Sequence, residues 1–283
     1  MIICKTIAQL QQHLMNERKN GHTIGLVPTM GALHMGHMSL LQKAKAACDK
    51  TVVSIFVNPK QFGPNEDFDA YPRDLAGDCA LLEKHGADYV FAPSVDEMWP
   101  EGNNTIVEVT HLSNILIGKL RPGHFRGVTS VVTKLFNIVQ PQKAFFGEKD
   151  FQQITIIRRM VQDLNFPVEI VGVPTLRDDD GVASSSRNQL LLKEDRKAAL
   201  IIPHSWQHAE KLYAKGERAA DALINAVRET LETEPRAIVE AIDLLDVETL
   251  QPIEGQLTRP AVLLLTVRFG TVRLIDQRVI GDK

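Results

Sequence analysis

The chain has 283 residues, of which 44% are hydrophobic and 24% are charged; this is ordinary globular usage and excludes a disordered or collagen-like chain. With 32 Lys and Arg against 35 Asp and Glu, the formal net charge is −3, so neither nucleic acid nor a membrane surface is an expected partner. Cys4, Cys48 and Cys79 form no CxxC or zinc pattern. Reduced thiols, with no visible signal or membrane-spanning run, lead us to expect a cytoplasmic protein.

Strand-like and helix-like segments alternate through the first half of the chain. Apolar and β-branched runs predict strands at 23–28, 51–58, 88–93, 106–109, 144–146 and 168–173. Helical spacing predicts helices at 38–48, 72–85, 128–139 and 151–164, the second with Pro72 in its first turn. Such alternation is typical of βαβ units, so we predict an α/β fold with a Rossmann-like parallel sheet in residues 1–176.

The character of the chain changes after residue 187. Stretches rich in Ala, Lys and Glu predict helices at 190–216 and 219–232, and strand-like runs follow at 237–245, 261–268 and 272–275. Strands clustered behind helices favour an antiparallel sheet with helices on one side. We therefore predict a smaller α+β domain in residues 177–283, which closes over the site of the first domain.

The strongest chemical motif is a His-x-x-His pair after the first predicted buried strand. His34 and His37 share a face on the first turn of a helix, and Gly36 between them would let a nucleotide approach closely. Imidazoles at a helix start can donate hydrogen bonds to phosphate oxygens. A structural His pair remains an alternative, as does a metal site, although the local sequence supplies no third ligand.

Four further segments carry polar side chains near predicted strand ends or at the domain boundary, where ligands of such folds bind. Lys149 lies between a strand and a helix and suits phosphates, while Asp150 beside it fits a helix N-cap. The Ser-Ser-Ser-Arg-Asn run at 184–188 could hold a triphosphate or be a polar loop. The segment 58–62 offers uncharged donors and acceptors, and 121–127 is an active-site loop or a plain turn.

These segments together resemble the family of pantoate–β-alanine ligases. The resemblance covers most of the first ~190 residues, through stretches at 28–37, 54–62, 71–73, 121–127, 146–153, 171–174 and 185–188. His-Met-Gly-His at 34–37 is similar to the HxGH signature of the nucleotidylyltransferase superfamily. No GxGxxG, GxxxxGK[ST] or GxSxG motif is present, which disfavours dinucleotide oxidoreductases, P-loop NTPases and serine hydrolases.

The resemblance implies condensation of pantoate with β-alanine through a pantoyl adenylate, with release of AMP and pyrophosphate. It implies catalytic roles for His37, His34, Lys149, Ser185, Ser186 and Arg187. It implies an ATP site lined by Met30, Gly31, His34, Gly36, His37, Gly147, Glu148, Lys149, Asp150, Leu176, Ser184, Ser185, Ser186 and Arg187. It assigns Gln61, Gln153, Asn58 and Arg121 to pantoate and β-alanine, and Asp78 to a metal ion.

The implied cofactor is Mg²⁺, which enters with ATP as co-substrate, and no organic prosthetic group is expected. The implied assembly is a homodimer. Two alternatives stay open: a nucleotidylyltransferase that acts on another small substrate and stops at nucleotidyl transfer, and an RNA-binding relative of tRNA synthetases. The balanced charge and the lack of a basic stripe argue against the second alternative.

Overall fold

The computed structural model of the chain describes residues 1–64, 66 and 68–281, and for Ser186 it describes the backbone only. The chain divides into two compact units, Met1–Pro174, here called unit 1, and Thr175–Lys283, here called unit 2. In the described part of the chain, no helix combines the length and the apolarity that crossing a membrane requires.

Unit 1 is built on a six-stranded sheet in which every described ladder is parallel. Its strands are β1 (Ile2–Cys4), β2 (Ile24–Thr29), β3 (Lys50–Ile55), β4 (Tyr89–Phe91), β5 (Lys143–Gly147) and β6 (Glu169–Val173). β2, β3 and β4 are mostly buried, which explains why their central residues are largely apolar and do not alternate with polar ones. The predicted Rossmann-like α/β class is confirmed.

The strand order places a switch point at the centre of this sheet. The order is β1-β4-β3-β2-β5-β6, so the chain builds outward from β2 in one direction and then returns to β5 on the other side of β2. A crevice opens at such a point, outside the carboxyl ends of the two strands. Residues 30–37 follow β2 and residues 148–150 follow β5, which places two of the predicted motifs at the same crevice.

Helices cover the sheet of unit 1. They are α1 (Ile7–Lys19), α2 (Met35–Ala47), α3 (Leu75–Lys84), α4 (Val95–Met98), α5 (Ile117–Leu120), α6 (His124–Val139) and α7 (Phe151–Asp163). α2 and α3 bury Leu41, Ala44 and Leu82 in a core that they share with Val53 and Val90 of the sheet. This packing places the first turn of each of these two helices at fixed positions relative to the strands.

Two local predictions for unit 1 need correction. The helix predicted from residue 72 begins at Leu75, because the carboxylate of Asp74 caps it by accepting the N–H of Gly77 at 2.9 Å. The strand predicted at 106–109 is absent, since the Val107 backbone bonds to the hydroxyls of Ser130 and Thr129 instead of to another strand. β1, α1, α4 and α5 have no counterpart among the predicted elements.

Unit 2 contains a three-stranded antiparallel sheet with helices against it. The elements are α8 (Lys193–Ala198), α9 (Ile201–Ala214), α10 (Ala220–Glu232), β7 (Ala237–Asp246), β8 (Ala261–Phe269) and β9 (Val272–Ile280). Trp206, Leu223 and Val227 of the helices pack on Leu263 and Leu265 of the sheet. The predicted α+β class is confirmed, but the helix predicted at 190–216 is divided between α8 and α9, and β9 extends to Ile280.

Candidate active site

The turn that follows β2 is left-handed at successive residues. Gly31 has φ +83 and Ala32 has φ +51. Asp78, which is buried at 6% exposure, supports this turn: its carboxylate accepts the N–H of Ala32 at 3.0 Å and that of Leu33 at 2.8 Å. A Cβ on Gly31 would lie only 2.9 Å from Asp78 Oδ2, so the close approach of this carboxylate requires glycine there.

This geometry does not support the predicted metal role of Asp78. Both of its carboxylate oxygens accept backbone N–H groups, so they are directed at the turn. Across the described residues, no group of at least three His, Cys, Asp or Glu side chains is arranged to hold a metal ion. Asp78 therefore acts on the shape of the loop.

His34 and His37 form a reciprocal cap at the start of α2. His34 is the N-cap residue, and its Nδ1 accepts the N–H of Gly36 at 3.1 Å, while Nδ1 of His37 accepts the backbone N–H of His34 at 3.3 Å. Because each Nδ1 is an acceptor, the proton of each neutral ring is on Nε2. The ring centroids lie 4.3 Å apart, so the two donors are presented side by side.

Gly36 has a structural role besides the one predicted for it. A Cβ at this position would lie 2.8 Å from Cε1 of His34 and 3.0 Å from its Nδ1. A side chain here would therefore push the His34 ring out of its cap. The glycine makes room for the histidine of its own helix.

The electrostatic surroundings of His37 keep its ring neutral. Burial, with the neighbouring His34 and Lys149, lowers the pKa of His37 to about 3. Lys149 lies in the turn Glu148–Asp150 after β5. Its positive charge contributes to the lowered pKa of His37, so the second motif acts on the first. The start of α2 adds the positive end of its dipole to this crevice. The arrangement favours an anionic ligand.

Gly147 and Asp150 flank Lys149. A Cβ on Gly147 would meet no atom within 4 Å, so the backbone there faces open space. Asp150 immediately precedes α7, but its exposed carboxylate makes no capping hydrogen bond to that helix. Asp150 is thus the N-cap residue of α7, as predicted, although its side chain does not make the capping bond. Glu148 is half-buried, and its Oε1 lies 2.8 Å from where a Cβ on Gly172 would be.

Gln61 connects the turn after β3 with the loop after β2. It lies at the end of the 3₁₀ turn Pro59–Gln61 and is 8% exposed. Its Nε2 donates to the sulfur of Met30 at 3.0 Å, and its Oε1 accepts from Asn58 at 3.1 Å. Each of these polar atoms can still form one further hydrogen bond, so the amide is able to bind a polar ligand.

Asn58 does not have this capacity. The side chain is 1% exposed, its Nδ2 donates to Gln61 Oε1 and to the carbonyl of Gly127 at 3.1 Å each, and its Oδ1 accepts the indole N–H of Trp99 at 3.0 Å. With its amide donors and its oxygen engaged inside the protein, Asn58 orients Gln61. The structure does not support the predicted direct contact with substrate.

Arg121 is likewise occupied within the protein. Its Nε and Nη2 donate to the carboxylate of Glu66 at 2.6 and 2.5 Å, and its Nη2 also reaches the carbonyl of Gln61 at 3.4 Å. These bonds from Arg121 lower the pKa of Glu66 to about 2. Nδ1 of His124 donates to the same Gln61 carbonyl at 2.9 Å. Arg121 and His124 thus hold the backbone that carries Gln61.

Two adjacent glutamines at the start of α7 have different surroundings. Gln152 is 3% exposed and holds the loop before α5 through the carbonyls of Leu112 and Ile115 at 3.0 and 2.8 Å. Gln153 is half-buried, and within residues 1–64, 66 and 68–281 its amide has no hydrogen-bond partner. Of the two, Gln153 is the one able to bind a ligand.

The remaining predicted residues belong to unit 2. Leu176 is 36% exposed, and the hydroxyl of Ser184 donates to Asp178 Oδ1 at 2.5 Å. The hydroxyl of Ser185 accepts the N–H of Arg187 at 3.3 Å and caps the 3₁₀ turn Ser186–Leu190. The guanidinium of Arg187 is exposed, and the side chain of Ser186 lies outside the described residues.

Two residues that shape the site, Glu66 and Trp99, are not among the predicted ones, and Asp78 was predicted for a metal ion and not for the turn. Each acts through hydrogen bonds to residues far away in the chain, for which periodicity contains no signal. Gly127 did offer a signal, because a glycine inside the strongly amphipathic α6 is unusual. A Cβ there would lie 2.2 Å from the carbonyl oxygen of Lys60, so this glycine allows α6 to approach the turn that carries Gln61.

The fold and the site together define the class of Rossmann-like α/β proteins that bind a ligand at the switch point of a parallel sheet. The family model of pantoate-beta-alanine ligases matches residues 2–279. The chain therefore belongs to the pantoate–β-alanine ligase family.

Individual proteins agree with this assignment. The chain is 69% identical over 283 residues to the pantothenate synthetase of Bartonella tribocorum, covering 100% of this chain and 99% of that one. Its identity to the pantothenate synthetase of Agrobacterium fabrum is 52%, with 99% and 96% covered.

Among solved structures, the pantothenate synthetase of Thermus thermophilus matches with a TM-score of 0.91 at 44% identity, covering 98% of this chain and 99% of that one. A pantoate–β-alanine ligase of Francisella tularensis matches with a TM-score of 0.78 at 36% identity, covering 99% and 97%. That protein was crystallised with β,γ-ATP and β-alanine, according to its description.

Proposed function

We propose that this chain catalyses the ATP-dependent condensation of pantoate with β-alanine, through a pantoyl adenylate. The observation that carries the proposal is that the loop with His34 and His37 follows β2, while the turn with Lys149 follows β5, the strand paired with β2 at the switch point. Family membership over residues 2–279 identifies the substrates, and the site supplies the means to hold the triphosphate.

The reaction proceeds in two displacements. A carboxylate oxygen of pantoate attacks the α-phosphorus of ATP, a P–O bond forms, and the bond to the β-phosphate oxygen breaks with release of pyrophosphate. The amine of β-alanine then attacks the acyl carbon, the bond to the AMP oxygen breaks, and the nitrogen loses a proton as pantothenate forms. Adenylation is needed because a carboxylate has a very poor leaving group.

The neutral histidines act as hydrogen-bond donors in the first displacement. Nε2–H of His34 and Nε2–H of His37 are directed to phosphate oxygens, where negative charge accumulates as the α-phosphorus becomes five-coordinate. Burial lowers the pKa of His37 to about 3, so its ring is neutral and its Nε2–H is a hydrogen-bond donor. Lys149 adds a positive charge that neutralises the phosphates, as a compact ammonium does well.

The other residues are assigned by their surroundings. Gln61 and Gln153 bind pantoate through their remaining amide donors and acceptors, and Asn58 and Arg121 position Gln61. The ATP site further includes Met30, Gly31, Gly36, Gly147, Glu148, Asp150 and Leu176. By the family resemblance, Ser184, Ser185, Ser186 and Arg187 are proposed to bind the phosphates.

Mg²⁺ is the counter-ion that we propose for ATP, and its slow dehydration would favour phosphate oxygens and water over protein ligands. The described residues contain no carboxylate cluster that would fit a protein-built site, so no catalytic step is assigned to a protein-held metal. A homodimer in the cytoplasm is the form we propose for the enzyme, by analogy with the family.

An omission series tests the function. Purified protein is incubated with all three substrates, and with each one left out, while AMP, pyrophosphate and pantothenate are measured separately. We expect AMP and pantothenate only in the complete mixture, and ATP–pyrophosphate exchange with pantoate alone. Pyrophosphate release with no AMP and no response to β-alanine would instead support a nucleotidylyltransferase.

A further inference from the structure

The left-handed turn at Gly31 and Ala32 lies directly before the two histidines and has to be held in place. An alanine at φ +51 is in a conformation that persists only where its surroundings enforce it. Leu33, whose N–H is bound by Asp78, is followed immediately by His34, the N-cap residue of α2. A change in the backbone of the turn would therefore also move the N-cap of α2, where both imidazoles are oriented.

Successive backbone N–H groups in such a turn form a concavity that attracts anions. Here the concavity is filled by the protein itself. Asp78 Oδ2 accepts from Ala32 at 3.0 Å and Oδ1 accepts from Leu33 at 2.8 Å, with the carboxylate buried at 6% exposure. The N–H groups of Ala32 and Leu33 are therefore not available to a triphosphate at this crevice, which leaves the imidazoles, the ammonium and the helix start to bind it.

The helix that carries Asp78, α3, is packed in the core of unit 1. Asp78 is in the first turn of α3, whose dipole favours a negative charge there. Asp74 caps the same turn, and Cys79 and Leu82 anchor α3 in the core. The packing of α3 on the sheet thus fixes the position of the Asp78 carboxylate next to the turn.

We propose that Asp78 is a positioning residue for the adenylation step: it holds the Gly31–Ala32 turn and, through it, the capped pair His34 and His37. This inference rests on the proposed function. Asp78 does not contact the reacting atoms. Its effect is confined to the step in which the imidazoles face the phosphates, while the attack of β-alanine on a preformed adenylate does not require it.

The test compares Asp78→Asn with Glu83→Gln, which removes one negative charge from an exposed position of the same helix. In Asp78→Asn one acceptor oxygen becomes an NH₂ group that faces a backbone N–H. We expect kcat for pantoate-dependent ATP–pyrophosphate exchange to fall at least tenfold, with less than a twofold change in the KM of pantoate. Turnover of synthetic pantoyl adenylate with β-alanine should stay within twofold of the wild type, and Glu83→Gln should match the wild type in both assays.

A second readout does not depend on activity. The amide proton resonances of Ala32 and Leu33 should move upfield in Asp78→Asn and stay in place in Glu83→Gln, because a hydrogen bond to a carboxylate shifts an amide proton downfield. Far-UV circular dichroism establishes that both variants are folded.

Three results would overturn the inference. Equal losses in exchange and in adenylate turnover would mean a general structural role, and unchanged exchange in Asp78→Asn would mean no role. Recovery of exchange at high Mg²⁺ would mean that Asp78 binds the metal. Failure of the proposed function is a separate outcome, recognised by the absence of pantoate-dependent exchange in the wild type.

Discussion

Nε2 of Gln61 donates a hydrogen bond to the sulfur of Met30 at 3.0 Å. Met30 opens the loop that leads to the histidine pair, and Gln61 ends the turn after the neighbouring strand. A side chain assigned to the acid substrate and one assigned to ATP are thus in direct contact. The acid and the nucleotide are thereby proposed to bind next to each other at the strand ends.

Removal of His37 should reduce adenylation while leaving the fold intact. We expect His37→Ala to lower kcat for ATP–pyrophosphate exchange by about 10²–10³-fold, because a donor aimed at developing charge is lost. His37→Gln places an amide donor near the position of Nε2 and should recover part of that loss. His204→Ala, at an exposed position, is the control. Near-normal exchange in His37→Ala would remove this residue from the mechanism.

The lowered pKa of His37 makes stability depend on pH. Between pH 6.5, the ordinary value, and about 3, the unfolded chain binds a proton at this residue that the folded chain does not. The free energy of unfolding should therefore fall as pH decreases through this range, by at most ~1.4 kcal/mol per pH unit for one proton.

Urea titrations of the wild type and of His37→Gln at several pH values measure this effect. The variant lacks the titrating ring, so its stability should fall less between pH 6.5 and pH 4. Parallel curves for the two proteins would show that burial does not hold His37 neutral.

Gln61→Ala should weaken the binding of pantoate. One or two neutral hydrogen bonds contribute about 0.5–1.5 kcal/mol each, so we expect the KM of pantoate to rise roughly tenfold. The KM of ATP should change less than twofold. Gln162→Ala, at an exposed position of α7, controls for loss of an amide. An increase in the KM of ATP alone would show that Gln61 is not in the pantoate pocket.

Gly127→Ala should be destabilising, although alanine is the better helix former by about 1 kcal/mol. The added Cβ would lie 2.2 Å from the carbonyl oxygen of Lys60, so α6 or the turn Pro59–Gln61 must move. We expect unfolding free energy to decrease by about 1–3 kcal/mol, as in other overpacked cores, together with a higher KM for pantoate. Arg126→Ala, exposed on the same helix, should be close to neutral in thermal denaturation. A Gly127→Ala variant as stable as the wild type would contradict the close approach.

Much of the fold could be predicted from local patterns. Residues 24–27 are apolar because the strand is buried on both faces, and the apolar residues of 128–139 recur at helical spacing because the helix is buried on one face. Both patterns can be seen in the segment alone. β1 escaped prediction because it is three residues long and two of these are exposed, so the local sequence does not show its pairing with β4. The strand predicted at 106–109 failed for the converse reason, since helix side chains satisfy its backbone.

The sequence alone determined which residue types are available for chemistry, and the tertiary structure decided which of them face a ligand. The histidine pair was recognisable because three-residue spacing on a helix start is a local relation. Asp78, Asn58 and Arg121 are equally polar, yet each is turned toward partners as far away as residues 32, 127 and 66. A hydrogen bond between distant segments depends on how the strands and helices bring their loops together, and no period in the chain encodes that distance.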